Sequence, residues 1–338
     1  MNINLTFINS TFVNLENLDR DAWISVGKLI AVCSVLVNSL AVFLIVFKSK
    51  KETKAYKTAL VASHSLLCLA QFQMGFLMCV VPLFPFPALI SYGTLRSSFD
   101  FILQLQVWFL ILISFLWALY ATLVIRFRLV VRKDSCLNFS TRTYWISSSV
   151  LYFSCVTTVV VMFEILRKPD AETENFLEWK YPKYKNVLKE NRLLVFSDKT
   201  TLHVSAYSCI GISFLLVTCY VTLSISIFVQ VRHSVHTMSA ALQNYHFKVL
   251  KDIVLQILIK LVTFTFYPLL AVSLYFVTPE YDCIKSTMLL YNVFVAAPIP
   301  GTVLLIVQTP SYRRFVFNLS VRVERINPFF VRTQQSTS

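Results

Sequence analysis

Seven stretches of this chain run for about twenty residues or more with almost no charge: 24–47, 59–82, 101–125, 144–166, 204–231, 253–277 and 288–307. Four contain no Asp, Glu, Lys or Arg, and the other three hold one each: Lys28, Glu164 and Lys260. A helix needs about 20 apolar residues to cross ~30 Å of hydrocarbon. Barrel strands would be shorter, about ten residues, and would alternate in polarity. The pattern therefore predicts an all-α membrane protein, a seven-helix bundle. It divides into an N-terminal segment over 1–23, a helical domain over 24–307 and a tail over 308–338. Residues 1–23 lack the basic and apolar regions of a cleavable signal peptide, so the first span is expected to act as its own insertion signal.

Between the spans the polar residues are unevenly placed. The loops after spans one, three and five, with the tail, carry eighteen basic residues against four acidic ones. The other side carries eleven basic and twelve acidic. The positive-inside rule then puts the tail in the cytoplasm and the N-terminus outside. The sequons at Asn4 and Asn9 lie in the exterior segment, as glycosylation requires. Composition sharpens this picture. Of 338 residues 56% are hydrophobic and 14% charged, well below the soluble norm of about 25%. The net charge of +14 would suggest nucleic acid in a soluble protein, but here it belongs to the cytoplasmic loops.

Candidate chemistry is sparse. There is no phosphate-binding loop, zinc-protease motif or nucleophile elbow, so neither an enzyme nor a cofactor is expected. The eight cysteines include no C-x-x-C pair and fall mostly in apolar runs, as small buried hydrophobes do. His64 sits in mid-span, where a polar group is costly, and reads as an interhelical donor or a functional group. Lys260 lies about 10 Å into the sixth span, able to snorkel to the cytoplasmic interface or to meet an interior partner. Lys28 and Glu164 lie near exterior span ends, placed to snorkel or to rim an outward pocket. Gln71, Gln73, Gln104 and Gln106 could bond between helices or to a ligand. Pro268 in span six, and Pro298 and Pro300 in span seven, remove backbone donors and permit kinks. Residues 311–323 alternate Phe and Val with Arg313, Arg314 and Arg322, the pattern of an amphipathic helix on the inner leaflet.

This layout resembles a G-protein-coupled receptor, though not of the rhodopsin type. The third span ends Leu123-Val124-Ile125-Arg126-Phe127-Arg128, without an acidic residue before the arginine. The seventh reads Ala296-Ala297-Pro298-Ile299-Pro300-Gly301, without N-P-x-x-Y. No cysteine stands at the top of span three or in the loop 167–203 for the usual exterior disulfide. The chain is more similar to nematode serpentine chemoreceptors of the Str superfamily, of the Srh/Sri kind. Thr309-Pro310-Ser311-Tyr312-Arg313 resembles that family's Pro-Tyr-Arg exit from the last span, with Ser311 inserted. Pro82, Pro85 and Pro87 followed by Tyr92-Gly93 resemble its proline-rich first exterior loop. Met238-Ser239 and Leu242-Gln243 resemble its lead into span six. The resemblance implies a plasma-membrane receptor, in sensory cilia, for a small molecule. It would signal through a heterotrimeric G protein. Arg126, Arg128, Arg313 and Arg314 would face the G protein or anionic lipid. A seven-helix channel or transporter is the alternative. Seven-span channels of the insect odorant type place the N-terminus inside, against the basic-residue count.

Overall fold

The computed structural model describes residues 19–49, 53–82, 88–95, 98–131, 140–167, 193–195, 199–233 and 284–318, with separate positions at 135, 138, 174–175, 178–179 and between 244 and 270. The apolar windows become helices α1 (Asp19–Lys48), α2 (Lys54–Phe72), α3 (Phe101–Val130), α4 (Thr141–Leu166) and α5 (Lys199–His233). The seventh window becomes two helices, α6 (Ile284–Ala296) and α7 (Pro298–Gln308). A last helix, α8, covers 310–318. Six helical segments among the described residues are long and apolar enough to cross a membrane, corresponding to spans one to five and seven. Most of the sixth span, with Lys260 and Pro268, lies outside the described residues, as do Asn4 and Asn9.

Large side chains such as Leu36, Val150, Phe153 and Phe214 are exposed on these helices. Water would make that surface unfavourable at about 25 cal/mol per Å², whereas lipid tails do not. The inward faces form one core. Leu67, Phe115, Leu123 and Tyr220 are fully buried there. α2 lies between α1 and α3, α3 also meets α4 and α5, and α6 and α7 return to α1.

Helix ends follow local chemistry. Asp100 caps α3 by accepting from the Ile102 amide at 3.2 Å, and Ser140 caps α4 by accepting from Thr143 at 3.1 Å. The second span differs from its predicted extent of 59–82. α2 passes into a π turn, Gln73–Met78, and stops at Cys79, whose φ of 45° is left-handed. The chain then runs as strand β1 (Val80–Pro82), because a left-handed residue cannot continue a right-handed helix. β1 pairs antiparallel with β2 (Ala88–Ser91), and β2 with β3 (Leu193–Val195). Backbone pairing between the loop that joins α2 to α3 and the loop after α4 thus ties the two together without a disulfide. Gly93 closes this turn: a Cβ there would stand 2.0 Å from the Leu77 carbonyl oxygen.

The seventh window breaks at Ala297. Pro298 and Pro300 have no amide to return to Phe294 and Ala296, four residues back. Pro298 instead takes the first position of a new helix, where its missing donor costs nothing.

Candidate functional site

Two regions lie at opposite ends of the bundle, joined by a polar node at mid-depth. One end carries Trp23 and the strands, and the other carries Lys48 and α8.

At the Trp23 end a narrow cleft opens between α1, the π turn, β1 and α6. Trp23, Ile24, Val81 and Met288 give it apolar walls. The π turn shapes its floor. The Met74 carbonyl accepts from the Cys79 amide at 2.9 Å and from the Tyr291 hydroxyl at 3.2 Å, joining the end of the second span to α6. Gly75 lets α1 come close: a Cβ on it would stand 2.2 Å from that of Ala31. Asn292 completes the lining. It is only 5% exposed, and its Oδ1 has no hydrogen-bond partner among the described residues. Gly27 faces that oxygen, and a Cβ there would lie 2.8 Å from it.

Below the cleft lies a buried hydrogen-bond node. Asn38 Nδ2 donates to the Ser34 carbonyl at 2.8 Å. A carbonyl only accepts, so the amide orientation is set and Asn38 presents Oδ1 to its other neighbours. Thr302 Oγ1 donates to that oxygen at 2.7 Å, and His64 Nδ1 lies 3.0 Å from it. His64 must therefore carry its proton on Nδ1. Asn38, His64 and Thr302 are each at most 1% exposed, and they tie α1 to α2 and α7. Thr302 follows closely on the break at Ala297, so the node secures the second half of the seventh span.

Further bonds pin the second span to the third. Gln73 Nε2 donates to the Gln104 carbonyl at 2.9 Å, and Trp108 Nε1 to the Ala70 carbonyl at 3.1 Å. Gln104 Nε2 turns back to the Phe99 carbonyl at 2.8 Å. Gln73 and Gln104 thus serve the scaffold. Glu164 stands at the rim of the Trp23 end, 3.7 Å from Arg167, which also pairs with Asp100 at 3.3 Å. All three are about half exposed, so these ion pairs are worth little to stability.

The Lys48 end gathers the four arginines singled out from sequence. The Arg126 guanidinium lies 3.9 Å from the centre of the Tyr56 ring, and Arg128 lies 6.0 Å from that of Tyr144. Arg313 and Arg314 are exposed on α8. α8 is held by Phe315, whose ring meets Phe43 at 6.0 Å and the Lys48 ammonium at 4.5 Å. Phe317 is left 68% exposed, where it would face lipid. Tyr312, in the Pro-Ser-Tyr-Arg exit, is buried. Gln256 Nε2, from the sixth span, donates to Gln308 Oε1 at 2.9 Å at the end of α7.

Sequence reasoning singled out His64 but not its partners Asn38 and Thr302, nor Asn292. The available signal was a polar residue within an apolar window, which these share with many Ser and Thr residues that only bond their own helix, such as Thr158 and Thr218.

A family model described as serpentine type 7TM GPCR chemoreceptor Srh matches residues 20–322. No curated protein matches the chain. The match runs from the start of α1 to just beyond α8 and so includes both ends of the bundle.

Proposed function

Because the chain belongs to the Srh family of serpentine seven-transmembrane chemoreceptors, we propose that it detects a small molecule and signals through a heterotrimeric G protein. The match over 20–322 carries this reading. As a family member the chain is a multi-pass membrane protein of receptor class. The finer assignments follow from where its chemistry lies.

The Trp23 end faces outside and holds the ligand cleft. The Lys48 end faces the cytoplasm, where Arg126, Arg128, Arg313 and Arg314 meet the G protein or anionic headgroups. The domain division at 1–23, 24–307 and 308–338 follows from that orientation, with glycosylation at Asn4 and Asn9. The plasma membrane, in sensory cilia, is where such a protein would meet an environmental ligand.

The mechanism is a shift between two packings of the bundle. A ligand changes their balance only by its difference in affinity for the two. The elements suited to move are α7, with a helix break above it and the Asn38–Thr302 bond beside it, and the sixth span, tied to α7 through Gln256 and Gln308. Opening the Lys48 end would separate these contacts and uncover the surface behind them. Pro268, outside the described residues, has no backbone amide to donate and would permit bending in the sixth span.

The test is a screen of small organic molecules on cells that express the full chain and report G-protein dissociation. At least one molecule should cause concentration-dependent dissociation that untransfected cells lack. A ligand-gated current that persists without G protein would replace the receptor with a channel.

A further inference from the structure

The basic residues at the Lys48 end fall into two groups. Arg126 and Arg128 lie against the rings of Tyr56 on α2 and Tyr144 on α4. Lys48, Arg313 and Arg314 belong to the corner where α8 meets the end of α1. Phe315 makes that corner. Its ring lies 6.0 Å from that of Phe43, which in turn meets Phe47 at 4.8 Å. The Lys48 ammonium sits 4.5 Å from the centre of the same Phe315 ring. Lys48, Arg313 and Arg314 are exposed, and none of them forms an ion pair among the described residues. No Asp or Glu occurs from 284 to 323 to offset the two arginines.

The apolar side of the corner decides which partner suits these cations. On α1, Phe43, Val46 and Phe47 are exposed just before Lys48. They lie on a helix apolar enough to cross a membrane, so lipid tails cover them. On α8, Phe317 is exposed, and Arg313 and Arg314 precede it by four and three residues. That spacing puts all three on one face of the helix. The cations therefore begin where the hydrocarbon-facing rings end, which is the level of the lipid phosphates. A guanidinium can meet a phosphate through two parallel hydrogen bonds, and an ammonium adds a compact point of charge.

We propose that the α1–α8 corner binds an anionic phospholipid of the cytoplasmic leaflet, with its phosphates on Lys48, Arg313 and Arg314 and its chains along Phe47 and Phe317. This rests on the orientation given above. It assigns Arg313 and Arg314 to lipid and leaves Arg126 and Arg128 to the G protein. Each cation near an anionic surface gives about a fivefold gain in affinity, so the three together favour an anionic headgroup strongly. A headgroup with several phosphates gains most.

The test uses the purified full chain in a neutral detergent. The probes are the dioctanoyl forms of phosphatidylcholine, phosphatidylserine and phosphatidylinositol bisphosphate, with free inositol trisphosphate as a headgroup lacking chains. Binding is read as the rise in melting temperature with probe concentration. The bisphosphate lipid should bind at least about tenfold more tightly than phosphatidylcholine, and 1 M salt should remove most of that preference. Replacing Lys48, Arg313 and Arg314 together by Gln should abolish it. Phe317→Ser should weaken all three lipids alike, since it removes contact with the chains only. Arg142→Gln, an exposed cation on α4, should leave every probe unchanged. Equal binding of the bisphosphate lipid and phosphatidylcholine would overturn the proposal. So would a loss on Arg142→Gln as large as that of the triple variant, which would mean general charge and no site. Inositol trisphosphate binding as tightly as the lipid would make this a site for a soluble phosphate and would overturn it too. A triple variant that keeps the lipid preference but binds a purified heterotrimeric G protein less well would give the corner to that partner instead. If the lipid preference holds and tags place the Lys48 end outside the cell, the headgroup site stands, and the leaflet assignment and the receptor reading fall.

Discussion

Asn38 shows how one polar side chain acts inside the bilayer. Its Nδ2 is committed to Ser34, and its Oδ1 serves both Thr302 and His64. Replacing it with Ala would leave a histidine N–H and a threonine hydroxyl without this acceptor, in a core where water does not reach them. Bonds between membrane helices are individually modest, averaging about 0.6 kcal/mol, because the unfolded chain also finds partners. The loss at Asn38 should therefore come to about 1–3 kcal/mol, since two donors are stranded together. Thr302→Val should cost less, because it leaves Asn38 bonded to His64. Melting of the purified protein measures both. The node has no structural weight if Asn38→Ala melts with wild type. His64 was legible as a costly polar residue in an apolar run, and it is bonded between helices. Its partners were not legible, because the pairing of Asn38 with Thr302 spans 264 positions.

At the scale of elements, charge-free length recovered spans one to five and seven, and local chemistry set their ends. Two differences arose where the backbone departs from a regular helix. The second span stops at Cys79 and becomes a strand, and the seventh divides at Ala297. The prolines at 298 and 300 announced the second difference. Nothing in the apolar run 73–82 announced the first, because Val and Leu suit helix and strand alike there. The sheet that follows makes its own prediction. Leu194 is buried at the centre of β3, opposite Leu89. Leu194→Asp would bury an unpaired carboxylate and should undock β3, so protease cleavage between Arg167 and β3 should speed up several-fold. Leu194 also belongs to the common hydrophobic core, so the melting temperature should fall as well. An unchanged cleavage rate would show that the pairing with β2 does not hold the loop.

For the whole molecule, the unequal loops predict a direction of insertion. Epitope tags at the two termini of the full chain in intact cells should give an accessible N-terminus and a tail accessible only after permeabilisation. The reverse pattern would put the cleft inside the cell and remove the basis for the proposed function. The two ends differ in a way that suits this direction, with an uncharged cleft at one and exposed arginines at the other.

By itself the sequence determined that this chain is a membrane bundle, how many crossings to expect and which loops hold the positive charge. These are properties of consecutive residues, and the bilayer reads them locally, span by span. The resemblance to serpentine chemoreceptors was also carried by short motifs, and the family match agrees with it. Only the tertiary structure decided which polar side chains meet. Every face of a membrane helix is apolar, so periodicity does not say which face turns inward. That rotation is settled by close contacts between distant residues, such as Gly75 on Ala31 and Gly27 against Asn292. From the rotation come the Asn38 node and the unmet oxygen in the cleft.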